Sequence, residues 1–541
     1  MDRDGVGQLL ADAGMDTRRF RTALALLCDG GWWTLADLVR ETATSRRSIE
    51  ALLREVAPER SGERFRLTPD QIRSCRDLLA DDPDLAVPLG RGPVPGPRSH
   101  GPADPVSHLL PHHRQVVEQL ANLIAQAPRG RHVLDHVAAT PETVVRRALL
   151  LGARFWLRGA RLLCVGDHDL TSLAVKLIHP EADVTVVDID ERILAYIDEQ
   201  AERMGCTVRT RWADLRLGLP PSTRDQADLA LTDPPYTPEG VGLFVSRAVE
   251  GLRDPEKGRV ILAYGASERT PMLALKVQNS LHDLNLTYEA IYPDFNRYFG
   301  AEAIGSAADL YFLRPTTKTR PAVSARVDHY GTAIYTQGPQ SVESHRPSGA
   351  ADTAAAGPGF EPGVLVGDWP KDVSPKTPRA RLSTWLAKPY ASAPQHVAIA
   401  VPAGLEAAIP RLLLAARARH VRVSLAESPD DLAALSELLS PVYRITARGT
   451  VLDAVRLAPP EDRAGRLLRG ILDNAHGKLA NTWREGLIRA NAELTKKQAR
   501  AIITEVAPWA DDVTLLELPV HRLRGVRAAV IASLGSVTGS H

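Results

Sequence analysis

The sequence of 541 residues has little cysteine, few aromatic residues and no long apolar run. Its four cysteines are far apart and form no CxxC or CxxH pair, which argues against a disulfide scaffold and a zinc ribbon. No apolar run approaches the roughly 20 residues that a membrane span needs. The first residues also lack the charged-then-apolar pattern of a signal peptide. The resulting expectation is a cytoplasmic protein without a membrane segment.

Neither sign of charge dominates the chain, since 66 Lys and Arg side chains face 65 Asp and Glu, a formal net charge of +1. A general nucleic-acid binder carries an excess of basic residues, so nucleic acid is an unexpected partner for the chain as a whole. Hydrophobic residues make up 44% and charged residues 24%, as in folded globular proteins.

The length predicts three or four domains at roughly 100–200 residues per domain. Apolar periodicity marks three folded units, and two stretches rich in Pro, Gly or Ser between them predict linkers. The expected divisions are an N-terminal domain over 15–80, a linker over 81–106, a central domain over 107–315, a linker over 316–360 and a C-terminal domain over 361–541.

The N-terminal pattern is helix, helix, basic helix and an alternating strand, which resembles a winged helix-turn-helix domain. Thr34 and Ser45 are the expected caps of the second and third helices. One interpretation is DNA contact through Arg46 and Arg47 at the start of the third helix. The favoured alternative is a docking or substrate-specificity module that keeps this shape without binding nucleic acid.

The central domain alternates apolar strand patterns with helical ones, which predicts a Rossmann-like, methyltransferase-type doubly wound α/β sheet closed by antiparallel strands. The ligand of such a fold lies beyond the carboxyl ends of the first strands. The strand predictions are 162–165, 184–187, 229–231, 260–263, 289–292 and 310–313.

The C-terminal domain predicts a smaller α/β unit with strands at 364–366, 397–401 and 421–425, followed by a helical tail through Ser533. No chemical motif stands out there, although Gly367-Asp368 after a strand weakly echoes Gly166-Asp167. Packing or oligomerisation, including a homodimer, is the expected role.

The loop after the first central strand is acidic where such folds usually have several glycines. It reads Gly166-Asp167-His168-Asp169, and helix capping is one explanation for its two carboxylates. If the loop binds a ligand, its negative charge would repel a phosphate or a carboxylate. It suits an ammonium group.

Two further acids follow the second and third strands. Asp188 stands about 20 residues after the glycine loop, where related folds bind ribose hydroxyls. Capping by Asp190 and Glu191 explains those two acids but leaves Asp188 without a structural task. Asp214 is in position to accept a hydrogen bond from an adenine amino group.

The most specific motif, Asp233-Pro234-Pro235-Tyr236, follows the fourth strand. The two prolines fix the backbone and remove its donors, which makes a stiff elbow. The Asp233 carboxylate and the Pro234 carbonyl can both accept from an incoming amine, and Tyr236 offers a ring face to a base or an organic cation.

Together these stretches resemble the branched-chain polyamine synthases, the N4-bis(aminopropyl)spermidine synthase family, over about residues 15–315. Asp-Pro-Pro-Tyr alone is typical of methyltransferases that act on amino nitrogens. Members of the family pair a winged-helix-like domain with a Rossmann-like catalytic domain. The matching stretches are Ala139–Thr143, Gly166–Ser172, Val187–Arg192, Thr232–Gly240, Asn296–Ala301, Gly305-Ser306 and Ala308–Tyr311.

The resemblance implies transfer of an aminopropyl group from decarboxylated S-adenosylmethionine to a polyamine nitrogen of the spermidine type, with release of methylthioadenosine. No tightly bound cofactor and no metal are implied. Between Arg161 and Val260 eighteen acidic residues face twelve basic ones, a surplus that favours a polycation. Decarboxylation also leaves the donor with an ammonium and no carboxylate, which fits the acidic first loop.

The predicted roles fall on a small set of residues. Catalysis is expected of Asp233, Asp167, Asp169 and Tyr236; donor binding of Gly166, Asp188, Asp214, Asp233 and Pro234; and acceptor binding of Asp167, His168, Asp169, Tyr236 and Glu239.

Two positions depart from the family pattern, which has Gly-Asp-Asp-Asp where this chain has His168 and Asp-Gln where it has Asp135-His136. Either change could retune the choice of amine, or His168 could point away from the site. Two other functions stay open. One is a methyltransferase that uses S-adenosylmethionine to methylate an amino group, and the other is a polyamine-sensing DNA-binding regulator.

Overall fold

The computed structural model describes residues 2–13, 17–80, 105–326, 331–338, 340–342, 353–356, 359–428 and 431–538. The linker predicted over 81–106 lies almost entirely outside these residues. Among the described helices, none has the length and apolar character required to cross a membrane.

The N-terminal domain combines helices with a small antiparallel sheet whose strand order is β1-β3-β2. Thr34 caps α3 and Ser45 caps α4 through their side-chain oxygens, as predicted. The winged-helix interpretation stays a prediction. The elements are α1 (Arg3–Asp12), α2 (Thr17–Leu27), β1 (Trp33–Thr34), α3 (Leu35–Thr42), α4 (Arg46–Val56), β2 (Glu59–Ser61), β3 (Arg64–Arg66) and α5 (Pro69–Leu79).

The central domain begins with two helices and continues as a seven-stranded sheet with helices between its strands. Thr140 caps α7, and Pro141 stands at its first position, where a missing N–H costs nothing. The elements are α6 (Arg114–Gln126), α7 (Pro141–Arg154), β4 (Arg161–Val165), α8 (Thr171–Ile178), β5 (Asp183–Asp188), α9 (Glu191–Arg203), β6 (Val208–Trp212), β7 (Leu229–Thr232), α10 (Pro238–Gly251), β8 (Arg259–Tyr264), α11 (Pro271–Asp283), β9 (Leu286–Arg297) and β10 (Ala307–Pro315).

The sheet has the order β6-β5-β4-β7-β8-β10-β9. Its first five strands are parallel, and β10 pairs antiparallel with both β8 and β9, so the predicted α/β class and its antiparallel closure are confirmed. Val165 at the end of β4 pairs with Val187 and Thr232. The loops after β4, β5 and β7 therefore leave the same edge of the sheet side by side.

Strand β9 is much longer than the four residues predicted for it. The apolar run marked only residues 289–292, whereas the strand extends over Leu286–Arg297. Because β9 is an edge strand, many of its side chains are exposed and polar, and an apolar run cannot show where it begins or ends.

The segment predicted as a second linker, 316–360, contains ordered structure. It starts with helix α12 (Thr319–Arg326). Ile334 and Tyr335 are buried and pack with the core between the sheet and α10. This part of the segment therefore belongs to the packed central domain.

The C-terminal domain is a six-stranded sheet followed by helices. The predicted strands are present, but a hairpin over residues 443–456 was missed, so the helical tail starts later than expected, at residue 463. The elements are β11 (Val364–Val366), β12 (Arg379–Ala380), α13 (Leu382–Ala387), β13 (His396–Ala400), α14 (Ile409–Ala416), β14 (His420–Ser424), α15 (Leu432–Leu439), β15 (Tyr443–Arg448), β16 (Val451–Arg456), α16 (Arg463–Leu472), α17 (Leu479–Ala490), α18 (Lys496–Val506) and α19 (Val520–Thr538).

The second sheet repeats the strand order of the first. Its order β12-β11-β13-β14-β16-β15, parallel over four strands and then antiparallel, matches β5-β4-β7-β8-β10-β9 strand for strand. A counterpart of edge strand β6 is missing from the described strands. Gly166 and Gly367 both follow the first strand with positive φ, so the weak sequence echo coincides with a repeated fold.

The C-terminal domain packs against the β6 side of the central domain. Arg411 is buried, donates to Glu191 (2.7 Å) and lies over the Trp212 ring. His521 and Arg522 both contact the Asp198 carboxylate of α9. These contacts join the C-terminal domain to α9 and to the end of β6.

Candidate active site

A cavity of about 420 Å³ opens at the carboxyl ends of β4, β5 and β7, where the fold predicts a ligand. Among the described residues that line it are six aspartates and one arginine. The lining is therefore formally anionic even with the arginine included. The six acids are Asp135, Asp167, Asp169, Asp188, Asp214 and Asp233.

Arg147, which sequence reasoning missed, lies at the centre of the charged groups. It projects from α7, and its guanidinium is fully buried. It donates to Asp169 Oδ2 (2.8 Å) and to Asp233 Oδ2 (2.6 Å), and its Nε–H donates to Asn296 Oδ1 (2.8 Å). The signal in the sequence is weak, because the helix that begins within the Ala139–Thr143 motif carries three arginines, and its pattern does not single out Arg147 from Arg146 and Arg154.

Asp233 accepts hydrogen bonds from three side chains. The hydroxyl of Tyr236 donates to its Oδ1 (2.9 Å), and Tyr298 (2.8 Å) and Arg147 donate to its Oδ2. Burial raises the pKa of Asp233 to about 6, although Arg147 opposes the shift. The carboxylate thus has a pKa close to neutral pH and is held in one orientation by three donors.

Tyr298 reaches this cluster because two distant motifs pair with each other. Ala139 forms a bridge with Tyr298, and the Thr140 N–H donates to the Arg297 carbonyl (2.8 Å). The hydroxyls of Tyr236 and Tyr298 lie 2.9 Å apart. The two tyrosines and Asp233 therefore form one hydrogen-bonded wall.

Asp167 has a structural task as well as a place in the cavity. Its carboxylate accepts from the N–H groups of Thr171 and Ser172 at the start of α8, so the capping explanation applies to it. Burial raises its pKa to about 7. Asp169 accepts from the Ala139 N–H (2.8 Å) and is paired with Arg147, so neither acid is an isolated free anion.

Asp188 lies at the end of β5 as predicted and lines the cavity. Its carboxylate accepts from the N–H groups of Asp167 (3.0 Å) and Asp190 (2.8 Å). Gly166, with φ of 74°, lines the cavity beside it. These contacts fix the first loop against the second, and each Asp188 oxygen keeps a lone pair for a ligand hydroxyl.

Asp214 lines the cavity, but its carboxylate is already engaged. Arg216 contacts both oxygens, at 2.8 Å and 2.6 Å. The other side of Arg216 donates to the carbonyls of Thr332 and Gly404. The predicted contact of Asp214 with an adenine amino group therefore has to share this carboxylate with a buried arginine.

Glu239 is the predicted site residue that the structure does not bring to the cavity. It is exposed in the first turn of α10 and is absent from the cavity lining. An acid there is favoured by the helix dipole, which explains its presence without a ligand. Pro234 and Tyr236, from the same elbow, do line the cavity.

The two positions that depart from the family pattern meet in space. The rings of His136 and His168 stack with centroids 4.4 Å apart and line the cavity. Burial lowers the pKa of both rings, that of His136 to about 3, where the adjacent His168 adds to the effect. His168 therefore points toward the cavity, and the pair forms an uncharged wall at neutral pH.

His136 is expected to stay neutral between pH 5 and 8. The imidazole of a free histidine has a pKa near 6.5. As the pH falls below about 6.5, the unfolded state therefore binds a proton at His136, whereas the folded state does not. Relative to His136→Gln, wild type should lose roughly 1.4 kcal/mol of stability per pH unit from there toward pH 5. Urea denaturation and NMR titration of the ring check this, and a ring titrating near pH 6.5 would contradict it.

Residues 334–337 close another side of the cavity and were not predicted as site residues. Thr336 donates its N–H (2.6 Å) and its hydroxyl (2.7 Å) to the Asp135 carboxylate. Thr237 donates its hydroxyl to the Ile334 carbonyl (2.7 Å), and the Tyr335 ring lines the cavity. Because their sequence resembles that of a linker, they could not be recognised as site residues from the sequence.

Metal ligation was not predicted for this chain. Within the described residues, no three His, Cys, Asp or Glu side chains are grouped so that they could hold a metal ion. The carboxylates of the cavity are instead held by arginine, tyrosine and backbone N–H donors.

Residues 115–325 match the family model described as the branched-chain polyamine synthase A C-terminal domain. An uncharacterized protein of Methanocaldococcus jannaschii is 38% identical over 174 residues, which are 32% of this chain and 43% of that protein. The N(4)-bis(aminopropyl)spermidine synthase of the same organism is 30% identical over 193 residues, 35% of this chain and 54% of that protein. The chain thus spans about half the length of the curated relatives it matches.

Among solved structures, the branched-chain polyamine synthase of Thermus thermophilus, in complex with N4-aminopropylspermidine and 5'-methylthioadenosine, is 18% identical with a TM-score of 0.40. The match covers 58% of this chain and 93% of that chain. The resemblance predicted from the motifs is confirmed by the family model, which matches this chain over residues 115–325.

Proposed function

We propose that this protein is an aminopropyltransferase that moves the aminopropyl group of decarboxylated S-adenosylmethionine to a nitrogen of a polyamine of the spermidine type. The observation that supports this most directly is the cavity lined by six aspartates and one arginine around the Asp233 elbow. Both substrates are cations, and an anionic lining lowers the free energy of bringing them together. The family match of residues 115–325 agrees with it.

The donor fits along the loops that follow β4, β5 and β6. Asp188 is the candidate acceptor for the ribose hydroxyls, and Gly166 lets the backbone approach the ligand. Ile189, Leu215 and Tyr335 offer apolar surface for the adenine ring. The donor's ammonium group would then lie beside the carboxylates of the first loop.

The acceptor nitrogen fits between the elbow and the pair of tyrosines. Its lone pair attacks the carbon bonded to the sulfonium; a C–N bond forms, the C–S bond breaks, and methylthioadenosine leaves with the electron pair. The proton released from the nitrogen passes to Asp233, assisted by the Pro234 carbonyl as a second acceptor. The roles of Arg147 and Tyr298 are to fix the Asp233 carboxylate through hydrogen bonds.

The protonation state of Asp233 gives the reaction a predicted pH dependence. The carboxylate must be ionised to take the proton, and its pKa is about 6. The acid limb of the rate profile should therefore rise with pH through about 6 and level off above it.

A product assay separates aminopropyl transfer from methylation. The full-length protein is incubated with spermidine and either decarboxylated or unmodified S-adenosylmethionine, and the products are read by mass spectrometry. We expect methylthioadenosine together with an aminopropylated polyamine, formed from the decarboxylated donor only. S-adenosylhomocysteine from the unmodified donor, without methylthioadenosine, would instead identify a methyltransferase.

A further inference from the structure

The N-terminal domain contacts the central domain through the first turn of α4. In a helix that reads DNA, this is the end that faces the DNA. Ser48, in the first turn of α4, is buried and donates its hydroxyl to Glu268 Oε1 (2.7 Å). Glu268 belongs to the loop after β8. The position that would accept a DNA phosphate is therefore occupied by a carboxylate of the same chain.

Arg46, predicted as a candidate DNA contact, is also directed at the central domain. Its guanidinium pairs with Glu50 of its own helix (2.9 Å) and with Glu302 (2.6 Å). Arg46 and its neighbour Arg47 are both exposed, but the ion pair with the central domain is made by Arg46. The two arginines of this basic pair thus have different surroundings, and one of them is used within the chain.

The segment that Arg46 holds is part of the cavity wall. Ala301, Ala303 and Ile304 line the cavity, and Glu302 lies among them. Gly305, with φ of 77°, approaches the turn before α4 so closely that a Cβ would lie 2.7 Å from the Ala43 carbonyl carbon. Segment 301–305 is therefore clamped between the cavity and the N-terminal domain.

This wall lies on the acceptor side of the site. Tyr298, three residues before Ala301, bonds to Asp233, whereas the proposed donor contacts come from the loops after β4, β5 and β6. Segment 301–305 therefore follows, within three residues, the tyrosine that borders the proposed acceptor nitrogen.

We propose that the N-terminal domain positions segment 301–305 and through it sets the fit of the polyamine acceptor, with Arg46 and Ser48 as positioning residues. DNA reading is not the task of this face of the domain. The inference rests on the proposed function, because the proposed function places the polyamine acceptor beside segment 301–305.

The test compares Arg46→Gln/Ser48→Ala with the matched control Arg47→Gln in the full-length protein. The double variant should raise KM for spermidine about 10-fold and leave KM for the donor and kcat within about 2-fold, since it loosens a wall without touching the reacting atoms. The control should match wild type. Arg46→Lys/Ser48→Thr, which keeps a cation and a hydroxyl, should recover most of the affinity.

Hydrogen-exchange mass spectrometry without substrates gives a readout that does not need turnover. Peptides covering 299–306 should exchange faster in the double variant than in wild type. In Arg47→Gln they should exchange at the wild-type rate. The inference would be overturned if the double variant left the KM for spermidine unchanged or raised the KM of both substrates equally. It would also be overturned if wild type bound duplex DNA and both the double variant and Arg47→Gln lost that binding. If wild type formed no methylthioadenosine, the proposed function would be wrong. The affinity of wild type and of the double variant for spermidine, measured by calorimetry, would then test this inference separately.

Discussion

Replacing Asp233 by asparagine is expected to slow aminopropyl transfer by about 10²–10⁴-fold, the usual contribution of a positioned proton acceptor. Asparagine keeps the size of the side chain and an oxygen that can accept from Arg147 and Tyr298. The other predicted donor contacts, Gly166, Asp188 and Asp214, lie on other loops, so methylthioadenosine binding should be largely kept. Rates are read from methylthioadenosine formation, and binding from calorimetry.

The matched control for this variant is Glu239→Gln, a change of an acid six residues away that is exposed and outside the cavity lining. Its turnover should stay within about 2-fold of wild type. The rise of the rate through pH 6 should disappear in Asp233→Asn and persist in the control. Turnover of Asp233→Asn equal to that of wild type would remove Asp233 from the mechanism.

Replacing Arg147 by methionine should have the largest effect on stability. The change leaves Asp169 and Asp233 close together and buried without their shared cation. Removing one partner from a buried ion pair costs about 3–5 kcal/mol. We expect a lower urea midpoint for the central domain, with faster hydrogen exchange in α7 and in the part of β9 that contains Asn296, and loss of turnover.

Two further variants separate the charge effect from the loss of packing. Arg154→Met removes an exposed arginine from the same helix, where it contacts the Tyr292 hydroxyl (2.9 Å), and should cost about 1 kcal/mol or less. Arg147→Met/Asp169→Asn removes one uncompensated charge and should recover part of the lost stability. If Arg147→Met were as stable as Arg154→Met, the central role of this cation would be refuted.

The acidic edge of the cavity could be predicted because it follows from strand order. Parallel strands place their carboxyl ends on one edge, so acids that follow β4, β5 and β7 must meet there. Asp167, Asp188 and Asp233 were predicted on that ground, and all three line the cavity. Glu239 lies outside the lining because a motif fixes neighbours along the chain and does not decide which of them faces solvent at the start of a helix.

Helix capping by Asp167 was one of the predicted explanations for the first loop, but the other tasks of these acids could not be predicted. Asp167 caps α8, Asp214 holds Arg216, and Asp233 shares Arg147 with Asp169. The sequence predicted free carboxylates facing a cation. The structure instead holds these carboxylates in a hydrogen-bonded network with two buried arginines, Arg147 and Arg216.

The sequence alone determined the α/β class, the strands that precede the site loops and the identity of the elbow, because apolar periodicity and proline geometry act over a few neighbouring residues. Only the tertiary structure decided that Arg147 joins Asp169 to Asp233, that His136 stacks on His168 and that Arg46 holds the cavity wall. These contacts join residues that are tens to hundreds of positions apart. They depend on how the helices and loops pack against one another, which no local pattern records.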